Sequence, residues 1–206
     1  MSGSSGADRS PFLPKQPRSK ATYERILAAA GAIFAERGWD ELSTNAVAQA
    51  AGVSIGSLYR YFPDKLAIAR AIAEREADFF CAAVMAALDT ATSDCGPALA
   101  HALLESLTSP RAGGSGELGY SRLMGSACSE ELGKMASEIE DLIEGRLASR
   151  LVEKISGLGE SEARLKVKVS RALIKGMAAE IARSPGEEKA LRAELERLLG
   201  ICLTAP

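Results

Sequence analysis

The chain has 206 residues, with 25 Lys plus Arg against 27 Asp plus Glu, one His, a formal net charge of -2 and 47% hydrophobic residues. That balance suits one large globular domain, or a small module joined to a larger one, and is too apolar for a disordered chain. A net charge so near zero also counts against a nucleic-acid binder, whose usual footprint is basic. In chain order, Met1 to Gly6 is small and polar where a secretory signal needs an apolar stretch. No later run approaches the roughly 18 apolar residues of a membrane span, so a cytoplasmic protein is expected. The Ser/Gly/Pro-containing stretch 1–18 predicts a flexible arm. Tyr23, Ile26, Leu27, Ala30 and Phe34, spaced by threes and fours, then predict a first helix that ends at Gly38.

Ser43 or Thr44 can cap a short second helix over Asn45 to Ala51, which Gly52 ends. Ser54 starts a third short helix through about Phe62, and Pro63-Asp64 breaks it and caps a long fourth helix carrying Leu66, Ile72, Phe80 and Val84. Further helices are expected over 97–108, 120–128 and 129–156, with a Gly/Ser/Pro-rich loop over 109–119. Ile139, Leu142, Ile143, Leu147, Leu151 and Ile155 form the stripe of the longest of these. Two last helices carry Leu165, Val169, Leu173, Met177 and Ile181, then Leu191, Leu195, Leu198, Leu199 and Cys202, separated by Ser184-Pro-Gly186. These terminal stripes are wide, and two readings stay open: they cap the core, or they form a hairpin that pairs with a second copy of itself. The alternating β-branched and aromatic runs of strands do not occur.

Thr44 to Tyr61, TNAVAQAAGVSIGSLYRY, has the layout of a helix-turn-helix, which presents its second helix to a major groove. Ala48 and Ala51 permit a close crossing that Val47, Val53 and Leu58 would hold. Two tyrosines and an arginine are then left for the outer faces of the third helix.

At this point the chain resembles the TetR family of bacterial transcriptional repressors. The resemblance rests on Ile26-Leu27-x-x-Ala30, Phe34-Ala35-Glu36-Arg37-Gly38-Trp39, Ser43-Thr44, Val47-Ala48, Ala51-Gly52-Val53-Ser54-x-Gly56-Ser57-Leu58-Tyr59-x-Tyr61-Phe62 and Asp64-Lys65. It covers about residues 20 to 70. It implies an all-α fold: an N-terminal three-helix helix-turn-helix DNA-binding domain over 19–65, joined by a long fourth helix to a C-terminal helical ligand-binding and dimerisation domain over 66–206. By the same resemblance, Thr44 lies near a DNA phosphate, where its hydroxyl and the helix-end amides both suit an anion. Ser57, Tyr59 and Tyr61 match positions that meet phosphates and thymine methyls, and Lys65 matches a lysine that pins the backbone beside the groove. Asn45, Ile55, Gly56 and Arg60 fall where sequence-reading side chains sit, Arg60 being suited to guanine. Ile55 and Gly56 bring no hydrogen-bonding side chain, so DNA shape and methyl contact are expected to share the reading. Lys15, Arg18 and Lys20 on the arm can reach the minor groove.

The resemblance further implies a homodimer on a palindromic operator, double-stranded DNA whose heads sit roughly 34–36 Å apart, released when a small effector enters the C-terminal domain. Candidate lining residues are Phe80, Val84, Met85, Leu88, His101, Leu104, Tyr120, Met124, Cys128 and Met177, an apolar, Met-containing set that suits a hydrophobic or amphipathic effector. The hairpin readings make Leu165, Val169, Leu173, Leu191, Leu195, Leu198 and Leu199 the dimerisation candidates. A protein of the same shape acting through protein contacts as a nucleoid-associated factor is the alternative.

No cofactor, metal or enzyme activity is expected. Cys81, Cys95, Cys128 and Cys202 are scattered, His101 is the sole imidazole, and no Ser or Cys lies in a nucleophile motif. The charge also divides unevenly. Residues 1–65 hold eight Lys/Arg against six Asp/Glu, whereas 66–206 hold seventeen against twenty-one. The near-zero total averages a slightly basic head and an acidic remainder, so DNA affinity must lean on hydroxyls, amides and pairing of two heads more than on lysine count.

Overall fold

The computed structural model describes residues 16–90 and 130–204. The helices expected over 97–108 and 120–128 lie outside these, as do most of the arm and His101, Leu104, Tyr120, Met124 and Cys128. Every regular element among the described residues is helical: α1 Pro17–Arg37, α2 Thr44–Ala51, α3 Ile55–Tyr59, α4 Lys65–Thr90, α5 Glu130–Lys154, α6 Glu160–Arg183, a 3-10 turn Pro185–Glu187, and α7 Glu188–Thr204. They belong to two compact units: residues 16–76 with 130–136, and residues 77–90 with 137–204.

In the first unit, α1 begins at Pro17, a favoured first position because its fixed φ suits the helix and its missing N–H would have gone unpaired. Arg18 and Lys20, read as arm residues from composition, therefore sit on the first turn of α1. The far end closes where Gly38, at φ 82°, donates its N–H to the Phe34 carbonyl over 2.9 Å. The apolar face of α1, Tyr23, Ile26, Leu27, Ala30, Ile33 and Phe34, is buried with Leu42, Val47, Leu58, Phe62, Ile68, Ile72, Leu132 and Met135 in one core. Each large side chain removed from water there contributes about 1.5–3 kcal/mol. Tyr23 stacks on Phe62 with ring centroids 5.1 Å apart, and burial pushes its hydroxyl pKa up, aided by Glu24 and Glu74. Arg75 of α4 reaches Glu24 of α1 at 3.4 Å.

The second unit holds residues 77–90 of α4, the later turns of α5, and the hairpin of α6 and α7. Its interior takes Val84 and Leu88 from α4, Ile139, Ile143, Leu147 and Leu151 from α5, Ala163, Val167, Ser170 and Ile174 from α6, and Leu195, Leu199 and Leu203 from α7. One expectation changes here: Leu142, counted in the α5 stripe, is exposed. Leu165 and Val169 are exposed as well, because α6 turns its Ala163–Val167–Ser170–Ile174 face inward and leaves these two pairing candidates outside the core. Ion pairs tie α4 to α5: Arg146 with Asp78, Arg150 with Asp89, and Lys154 with Asp89 at 3.1 Å. The Lys154 ammonium and then the Arg150 guanidinium hold the Asp89 carboxyl below its ordinary pKa. Arg171 of α6 joins Glu140 and the buried Glu144 of α5. Cys81 is buried and free, and burial raises its thiol pKa against the opposing pull of Arg146.

Candidate nucleic-acid interface

Each end of the helix-turn-helix is set by a local bond. Ser43 caps α2 by accepting from the Ala46 N–H at 3.2 Å, and Gly52 ends it in the left-handed region at φ 63°, ψ 40°. The Val53 N–H then returns to the Ala48 carbonyl at 3.0 Å, which turns the chain sharply into α3. Ser54 caps α3 by accepting from the Ser57 N–H at 3.1 Å, and the two hydroxyls meet at 2.8 Å. Beyond α3, Asp64 accepts from the Ala67 N–H at 2.8 Å and starts α4. Val47, Ala48, Ala51 and Leu58 are buried at the crossing, the small alanines letting α2 and α3 approach.

What remains outside is a polar, open face. Ile55, Gly56, Tyr59 and Arg60 are exposed on α3 and just beyond it, Asn45 is exposed on α2, and Thr44 and Ser57 are half-buried. No atom outside its own surroundings lies within 4 Å of where a Gly56 side chain would begin, so packing does not require glycine there; its absence of side chain leaves the outer face of α3 low. The Thr44 hydroxyl lies 3.2 Å from the Tyr59 hydroxyl, joining the first residue of α2 to the last of α3. With one hydroxyl donating to the other, a single O–H of the pair is left to donate to a phosphate beside the amides at the start of α2.

Tyr61 and Lys65 are more engaged than the sequence reading expected. Tyr61 is half-buried, edge-on to Tyr23 at 6.3 Å, with its hydroxyl 3.1 Å from the Ser19 hydroxyl of α1. Lys65 lies 4.4 Å from the Trp39 ring centroid and donates to the Trp39 carbonyl over 3.5 Å. Ser19 and Trp39 were missed as supports of the site because each acts across a sequence gap, 42 residues in the first case and 26 in the second.

The other candidate residues divide differently. Val84 and Leu88 are core, while Phe80, Met85 and Met177 are half-buried. Met85 lines an open crevice of about 540 Å³ with Asp89, Arg146, Ser149, Arg150 and Glu153, polar neighbours that the apolar list did not contain. Leu195 and Leu199, taken as dimerisation candidates, are buried inside their own hairpin; Leu173, Leu191 and Leu198 are half-buried, and the exposed large apolar side chains of the described part of the hairpin are Leu165, Val169 and Ile201. Among the described residues no cluster of His, Cys, Asp and Glu could hold a metal, and no helix is long and apolar enough to cross a membrane.

A short capped helix, a glycine turn and a second short helix with an open polar face define a helix-turn-helix protein. Residues 26–72 match the family model described as bacterial regulatory proteins, tetR family. The chain is 42% identical over 62 residues to the HTH-type transcriptional regulator YvdT of Bacillus subtilis (strain 168), a match covering 30% of this chain and 31% of that protein. The matched segment thus spans about a third of the length of the curated relative. In fold, the chain is similar to a TetR-family transcriptional regulator from Streptomyces coelicolor, with TM-score 0.64 and 23% identity over 88% of this chain and 97% of that one. It is also similar to the multidrug binding protein EbrR solved with malachite green, with TM-score 0.61 and 25% identity over 90% and 98%. Residues 26–72 are thus similar to bacterial regulatory proteins of the tetR family, and the likeness of the rest of the chain is one of fold.

Proposed function

We infer that the chain is a sequence-specific DNA-binding regulator of transcription, working as a homodimer on a palindromic operator in the cytoplasm and released from it by a small effector. The observation that carries the reading is the paired hydroxyls of Thr44 and Tyr59 beside the exposed Ile55, Gly56 and Arg60. Hydroxyls, helix-end amides and Lys65 would fix the register on the phosphates, while Arg60, Asn45 and Ile55 would meet base edges. The head, over 19–65, is the reader, and 66–206 is the sensing and pairing part. Leu165, Val169 and Ile201 are exposed apolar side chains on the α6–α7 hairpin, a face suited to a second copy of itself.

One observation bears on an effector site in the second part. A relative of the same fold, EbrR, is described as a multidrug binding protein. Selection of bound duplexes from a random pool tests the reading. Enrichment of a palindrome, protected as two half-sites about one helical turn apart, is expected. Recovery of no preferred sequence, with binding set by length and salt alone, would overturn sequence-specific regulation.

A further inference from the structure

We propose that Trp39 is a positioning residue for DNA: its ring and its main-chain carbonyl together hold the Lys65 ammonium poised for a phosphate, which rests on the reading of Lys65 as a phosphate contact. Trp39 follows Gly38 in the turn between α1 and α2, half-buried against the first core. Its carbonyl accepts from the Leu42 N–H at 3.2 Å, and Leu42 is fully buried, so the main chain at Trp39 is anchored independently of the lysine. The ammonium of Lys65 lies 4.4 Å from the ring centroid and 3.5 Å from the carbonyl oxygen. A lysine carries three N–H donors; the carbonyl takes one, and the ring face attracts the charge without consuming a lone-pair acceptor. Donors are left for an incoming anion.

The placement is a poor one for stability alone. Lys65 is the first residue of α4, at the positive end of the helix dipole, where a cation is unfavourable and an anion welcome. The indole and carbonyl offset that repulsion and keep the side chain ordered. A phosphate then meets a cation on a side chain whose rotamer freedom is already reduced, so less ordering remains to be done on binding.

Phosphate contact is independent of sequence, so a mixed-sequence 30-base-pair duplex at low salt serves as probe. Its affinity is measured by anisotropy for the wild type, Trp39→Leu, Lys65→Gln and the double variant, with thermal unfolding confirming that each is folded. Loss of the ring should weaken binding about 2- to 5-fold when Lys65 is present, the range of a surface cation–ring contact, and have no effect in the Lys65→Gln background. Trp39→Phe should recover part of the loss. Trp39 is the sole tryptophan of the chain, so its emission reports directly on the ammonium: duplex should shift it in the wild type and not in Lys65→Gln. Independent, additive losses with an emission response unchanged by Lys65→Gln would overturn the positioning role while leaving the phosphate contact intact. A Lys65→Gln protein with undiminished affinity and salt dependence would instead overturn the phosphate reading, and the proposal with it.

Discussion

The helix-turn-helix head and the α6–α7 hairpin solve the same packing problem to different degrees. In the head, large apolar side chains from α1 to α4 find an interior, and the outer face is left to hydroxyls, an arginine, a glycine and one isoleucine. In the hairpin, Leu195, Leu199 and Leu203 are buried while Leu165, Val169 and Ile201 face outward, with Leu165 60% exposed. A head whose apolar face is covered, with α4 and with Leu132 and Met135 of α5 completing the core, presents polar chemistry, whereas a hairpin with apolar side chains on both faces retains surface that association can still bury.

The strongest way to break this contrast is to attack the head from within. Leu58→Ala removes a fully buried side chain at the α2–α3 crossing and should cost about 2–5 kcal/mol, seen in denaturant unfolding, with DNA binding lost in parallel. Arg60→Ala should leave unfolding unchanged, because the side chain is exposed, and reduce preference at one base pair by about 1–3 kcal/mol; competition between single-base variants of the selected duplex measures it. On the hairpin, Leu165→Glu should shift the protein toward monomer in sedimentation while helicity stays unchanged. An unaltered dimer would remove Leu165 from the pairing face.

Gly56→Ala separates fold from recognition more finely. The site has room for a methyl group, and alanine favours helix by about 1 kcal/mol over glycine in a helix interior, so stability should hold or rise slightly while affinity for the selected duplex changes. The smallest effect belongs to Asp89. Its folded-state pKa is depressed by Lys154 and Arg150, so the stability it adds is present above its unfolded value of about 3.9 and is lost as pH falls through the folded value. Wild type and Asp89→Asn should differ slightly in melting temperature at pH 6, and the difference should close in strong acid. A difference that widened in acid would contradict this sign.

The elements most legible in the sequence are those made within three or four residues. Ser54 and Asp64 were readable as helix starts, Ser43 as one of two candidates with Thr44, and Gly52 as an end, because a capping side chain and the amide it serves are near neighbours in the chain. The α6 stripe left two readings open for a definable reason: apolar residues occur on both of its sides, and periodicity identifies a stripe without saying which one faces inward. Leu165 and Val169 were found by spacing, yet Ala163, Val167 and Ser170 form the packed side.

By itself the sequence determined an all-helical chain, the placement of the helix-turn-helix and the residue types on its outer face, because period, caps and turn glycines are local properties. Only the tertiary structure decided that Ser19 holds Tyr61, that Trp39 holds Lys65 and that Arg75 meets Glu24. These contacts span 42, 26 and 51 residues, and no local rule selects one pairing among the many such separations allow. Packing made that choice, by bringing α1 and the turn after it against α3 and α4 around one buried core.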